Sequence, residues 1–149
     1  MRRISTSWLL AILVLGLATT VPAQAQEQVS WQTLEQARFE EVAEPTDGRR
    51  WVPTFPEDVE ALDGKEIRLT GYMTPLDFSS EQMHFLISAW PVDGCGFHLP
   101  GGPMQVVEVQ AAEGVGFTYD TVAMEGRFEL LRDDPYGLLY RIVEARPIQ

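Results

Sequence analysis

Cys95 is the only cysteine in the chain, and His98, one of two histidines, follows it three residues later. A thiolate and an imidazole this close can bind one tetrahedral ion. Zinc accepts both ligand types, and Cu(I) takes sulfur readily. The pair lies in Gly94-Cys95-Gly96-Phe97-His98-Leu99-Pro100-Gly101-Gly102-Pro103-Met104-Gln105, where glycine and proline mark a tightly shaped loop. A closed zinc site needs four ligands, and this loop supplies two. His84 is the best completion, because it lies on the strand leading toward the loop. Asp93 and the thioethers of Met73, Met83 and Met104 are further candidates. A homodimer would also complete the shell by pairing two loops. Gly94, Phe97, Pro100, Gly101, Gly102, Pro103 and Met104 form the surrounding interaction loop.

Two other readings use the same residues. Cys95 buried as a small hydrophobe, with His98 bonded to loop backbone, accounts for both without a ligand. Alternatively, Cys95 is a thiolate nucleophile and His98 its base, the arrangement of a thiol enzyme. The sequence marks no orienting third group and has no second cysteine to resolve a disulfide. Catalysis is therefore not the expectation.

The elements that must hold this loop come from a chain long enough for one domain. Met1-Arg2-Arg3, an apolar run from Ile4 to Leu17, and Ala23-Gln24-Ala25 follow the order of a secretory leader. Cleavage after Ala25 is expected, leaving an N-terminal arm over 26–50 and a barrel domain over 51–149. The apolar run is short for a membrane span, which takes about 20 residues, and no later stretch replaces it. The expected location is the periplasm, with no stable membrane insertion after cleavage. The formal charge is −11, and loss of Arg2 and Arg3 makes it more negative. Such a surface repels phosphate backbones, which excludes nucleic acid as a partner.

In the arm, Ser30 suits the N-cap of a short helix, and 35–44 is acidic and weakly patterned. Pro45-Thr46-Asp47-Gly48 is a turn signal. Trp51 to Pro56 reads as extended but too proline-rich for a full ladder. Glu57 to Leu62 reads as a helix stopped by Gly64. Lys65 to Met73 then alternates, with Ile67, Leu69, Gly71 and Met73 on one face. Further strands are expected over 83–90, 106–110, 119–131 and 138–145, with a loop over 111–117. Gly71 and Gly126 mark bends. Trp31, Trp51, Phe55 and Trp90 are expected to cover the core. The prediction is a mainly β fold: a small five-stranded OB-like barrel with a short N-terminal helical and extended arm. An antiparallel sandwich is the alternative.

Leu62-Asp63-Gly64-Lys65, Gly71-Tyr72-Met73-Thr74-Pro75-Leu76, Phe85-Leu86-Ile87-Ser88 and the run from Gly94-Cys95 to Val109 together resemble one family. It is domain-of-unknown-function family 3299, a family of exported bacterial proteins. The resemblance covers about Trp51 to Arg146, and its most specific part is the Cys-x-x-His loop running into Gln105-Val106-Val107-Glu108-Val109. It implies a similar barrel. It also implies a setting beside envelope ABC transport components that is sometimes tied to zinc. Here the proline tract of some members is the more flexible Leu99-Pro100-Gly101-Gly102-Pro103. The reading that follows is an exported binding or accessory module, metal-linked through zinc or copper.

Overall fold

The computed structural model describes residues 26–43, 48–91 and 102–148. The expected leader lies outside the described residues, as do Asp93, Gly94, Cys95, Phe97, His98, Pro100 and Gly101. Among the described residues the order is β1 (Glu27–Gln28), α1 (Trp31–Leu34), β2 (Arg38–Ala43), β3 (Arg49–Thr54), α2 (Glu57–Glu60), β4 (Glu66–Pro75) and β5 (Glu81–Ser88). A 3-10 turn (Pro103–Gln105), β6 (Val106–Gly116), β7 (Thr121–Leu130) and β8 (Tyr140–Pro147) complete it.

Period-two alternation drives Ile67, Leu69 and Met73 of β4 inward, and Met124, Phe128 and Leu130 of β7 with them. One side chain in two facing a common interior favours a sheet that curls on itself. β4 pairs antiparallel with β5 and β5 with β6; β6 runs parallel to β8, β8 antiparallel to β7, and β7 returns to β4. The result is the expected five-stranded closed barrel of OB type, with a short N-terminal helical and extended region. A sandwich is excluded by the β4–β7 closure and by the parallel β6–β8 pair.

The closure depends on a bend in β4. Residues Glu66 to Tyr72 pair with β7, and Tyr72 to Pro75 pair with β5. Gly71 stands at the changeover. A Cβ there would lie 2.7 Å from the Ser88 carbonyl oxygen and 2.9 Å from the Trp31 ring. Beside the bend, β1 pairs parallel with Ile67 and Arg68, and the Trp31 indole donates to the Thr70 carbonyl at 2.7 Å. The arm therefore packs as part of the barrel wall. One end of the barrel is plugged by Leu34, Ala37, Val59, Leu62 and Leu139. Ser30 caps α1 as its sequence suggests, accepting from the Thr33 N–H, and Gly64 ends the α2 turn at φ 75°.

Three local readings change. The acidic stretch and the proline-rich stretch pair with each other as an antiparallel β2–β3 hairpin, with Pro53 opposite Phe39. A two-stranded ribbon has open edges toward which proline can turn its missing N–H. The segment 111–117 is not a loop: β6 runs on to Gly116, and Val115 reaches the core. Gly114 misled because it looks like a breaker, yet its missing side chain makes room for Glu81, whose Oε2 would lie 2.8 Å from a Cβ. Trp31 and Phe55 cover the core, but Trp51 and Trp90 are largely exposed.

Candidate functional site

Strand direction decides which loops share an end. β4, β6 and β8 run one way and β5 and β7 the other. The plugged end therefore gathers the exit of β5, the entry of β6, the β7–β8 connection and both helices. Pro91 and Gly102, the roots of the Cys95–His98 connection, belong to this end. The Ala89 N–H donates to the Gln105 carbonyl at 3.1 Å and draws the roots together. Pro103 opens the 3-10 turn, whose Gln105 N–H returns to the Gly102 carbonyl at 2.9 Å. The Gln105 side-chain amide donates to Glu35 at 2.7 Å, fastening the root to the end of α1. Glu35, Gly102, Met104 and Gln105 line a hollow of about 290 Å³. Met104 packs against the core, Met73 lies within it, and Met83 is exposed.

His84 sits mid-way along β5 on the outer surface, four residues before Ser88, or roughly 14 Å along the strand. Its Nε2–H donates to Glu108 Oε1 at 2.6 Å. Glu108 is 7 % exposed, and its second oxygen accepts from Arg141 Nε at 2.5 Å. Beyond Arg141 stands Glu129 at 3.9 Å, which also accepts from Arg127 at 2.7 Å. A row of polar contacts thus crosses the barrel wall, from His84 on β5 through Glu108 on β6 and Arg141 on β8 to Glu129 on β7. With Nε2–H committed to a carboxylate, the free lone pair of a neutral His84 ring is on Nδ1. Metal-binding histidines are oriented by such an outer carboxylate. Among the described residues no group of three or more His, Cys, Asp or Glu could hold a metal ion.

The family described as a protein of unknown function, DUF3299, matches residues 18–136. The chain belongs to the DUF3299 family. A crystal structure of a DUF3299 family protein from Pseudomonas aeruginosa PAO1 is similar to it, with a TM-score of 0.57 at 22 % identity. The match covers 84 % of this chain and 97 % of that one. At this identity the likeness supports the fold. No curated protein matches the chain. In this DUF3299 chain the matched segment spans the whole Cys95–His98 connection and stops before β8.

Sequence reasoning did not single out Glu108 or Arg141. A signal was present: Glu108 is one charge inside Val106-Val107-Glu108-Val109, and a carboxylate buried in a strand requires a cationic partner. A second hollow of about 220 Å³ lies between the hairpin and the β7–β8 connection, lined by Phe39, Arg50, Trp51, Arg132 and Asp133 among others. Arg50 pairs with Asp133 at 3.2 Å across it. Arg132 bonds Glu60 at 2.6 Å, and this partner lowers the Glu60 carboxyl below its usual range.

Proposed function

We propose that this DUF3299 protein is an exported binding or accessory module, linked to zinc or copper, that serves an envelope transport system. It performs no catalysis of its own. The observation that carries the metal reading is the His84–Glu108–Arg141 chain. It presents an imidazole whose Nδ1 has no hydrogen-bond partner among the described residues, steadied by a buried carboxylate, on the strand that runs into the Cys95–His98 connection. Six residues separate Ser88 from Cys95, and the seven Cα-to-Cα steps between them extend by up to about 25 Å. That exceeds the stretch of β5 back to His84, so a shared ion is within reach of the chain. The acidic charge supports attraction of cations and opposes a nucleic-acid role.

The test is metal analysis of the purified protein loaded with zinc or Cu(I) and desalted. Stoichiometric metal, lost in Cys95→Ser and His98→Ala and weakened at least tenfold in His84→Ala, is the expected result. Equal loading in wild type and the Cys95→Ser, His98→Ala double variant overturns it. Metal-free protein whose Cys95 alkylates unusually fast at neutral pH would instead favour the thiol enzyme.

A further inference from the structure

The barrel end opposite the Cys95 connection carries the connections 76–80 and 117–120, brought together by Glu81 pairing with Gly116 and Tyr72 with Thr121. Leu76, Phe78, Phe117 and Tyr119 are all exposed there, and Phe78 is completely so at 109 %. The aromatic rings of Phe117 and Tyr119 meet edge to face at 4.9 Å, so their exposure is shared in one patch.

The loop under Phe78 is braced. Asp77 Oδ1 accepts from the Ser79 N–H at 2.8 Å and from the Gln82 amide at 3.0 Å. That same Gln82 amide, 1 % exposed, donates to the Ser79 carbonyl at 2.6 Å. The backbone that carries Phe78 is thus held before binding, so little backbone freedom is lost when its ring packs against a partner. Aromatic anchors carry much of the energy at interfaces. Residues 76–83 and 111–121 contain Asp77, Glu81, Glu113 and Asp120 and no Lys or Arg. Arg68 and Arg146 stand farther along the wall beside Glu125, with Arg68 at 3.2 Å from it. An aromatic patch rimmed by carboxylates repels anionic lipid and repels a second copy of itself, but it complements a cationic chain.

We propose that this end is a docking surface for a basic polypeptide segment of a partner protein, with an apolar side chain of that segment packing on Phe78 and Tyr119.

The test uses the full chain and a synthetic peptide rich in lysine and leucine, with binding measured calorimetrically and mapped by amide chemical shifts. Shifts should concentrate in 76–83 and 113–121. Phe78→Ser combined with Tyr119→Ser should weaken binding about tenfold or more. Glu81→Gln with Glu113→Gln should weaken it further at low salt, whereas Glu40→Gln with Glu41→Gln on the distant hairpin should leave it unchanged. Both aromatic positions are exposed, so the serine variant should keep the wild-type unfolding midpoint. Shifts spread over the whole acidic surface, or equal affinity in the serine variant, overturn the proposal. So does Phe78-dependent binding to phosphatidylcholine or phosphatidylglycerol vesicles, or Phe78-dependent dimerisation.

Discussion

Tyr140 donates its hydroxyl to the Leu34 carbonyl at 2.6 Å, across 106 residues of chain. The bond joins the last barrel strand to the end of the first helix, inside the plug. The ring is held as well, with centroids 5.6 Å from Phe128 and 6.0 Å from Phe55. Tyr140→Phe keeps that packing and strands a buried carbonyl. It should cost about 1–2 kcal/mol, seen as a lower urea midpoint at unchanged slope. An unmoved midpoint would show that the bond contributes nothing net.

Burial pushes the Tyr140 phenol above the ordinary tyrosine range. The folded protein keeps a proton that the unfolded chain releases near pH ~10. The stability tied to this proton is full below that value and is lost as pH rises toward the folded pKa. Urea midpoints should fall between about pH 9 and 11 in wild type and fall less in Tyr140→Phe. Equal alkaline losses in the two proteins would refute the assignment.

Glu108 is the keystone of the outer polar row, because it alone is bonded on both sides and buried. Glu108→Gln weakens the Arg141 contact in a dry setting and should cost about 2 kcal/mol. His84→Ala should cost under about 1 kcal/mol, since the ring is half exposed and Arg141 still holds Glu108. Denaturation of both variants tests the ranking, and the reverse order would contradict it.

A Cβ at Gly126 would lie 2.7 Å from the Val143 carbonyl oxygen and 3.0 Å from the Ala145 Cα, both backbone atoms. Gly126→Ala should lose about 2–3 kcal/mol through forced strand separation. At Gly116 nothing lies within 4 Å of a Cβ, and Gly116→Ala should be neutral or slightly stabilising. Thermal midpoints of the pair decide the matter, with similar midpoints the adverse result.

The Ser79 hydrogen bonds, aided by Gln82 and by His84, hold the Asp77 carboxyl below its usual pKa. A depressed carboxyl contributes order above the unfolded value, near pH ~3.9, and loses it as pH falls through the folded value. The Ser79 amide resonance should therefore titrate below the range of a free aspartate. Asp77→Ala should speed amide exchange over 78–82 while the core amides stay protected. Uniform exchange in the variant and wild type would remove the brace.

The barrel was legible because Ile67 to Met73 and Val122 to Leu130 alternate cleanly, and because Gly71 and Gly126 fall where backbones approach closely. Strand boundaries were not legible where glycine serves packing, as at Gly114 against Glu81. The β2–β3 hairpin escaped notice because its charged strand buries little and its stability comes from pairing. Trp51 and Trp90 misled because an aromatic residue alone does not say which way it faces. Of the candidate site, His84 showed its residue type, but its fixed partner lies 24 positions away on another strand. Glu108 and Arg141 become neighbours only through the β6–β8 pairing.

The parallel run of β1 beside β4 brings the chain in at the plugged end, while Ile148, bonded to Ala123, leaves near the other. Entry and exit therefore make two unlike handles. Immobilisation through a linker ahead of Gln26 points Phe78 away from the support. The same linker placed after Ile148 turns that face toward the support and shields it. Pull-down or sensor experiments run in the two orientations would give different answers from one protein.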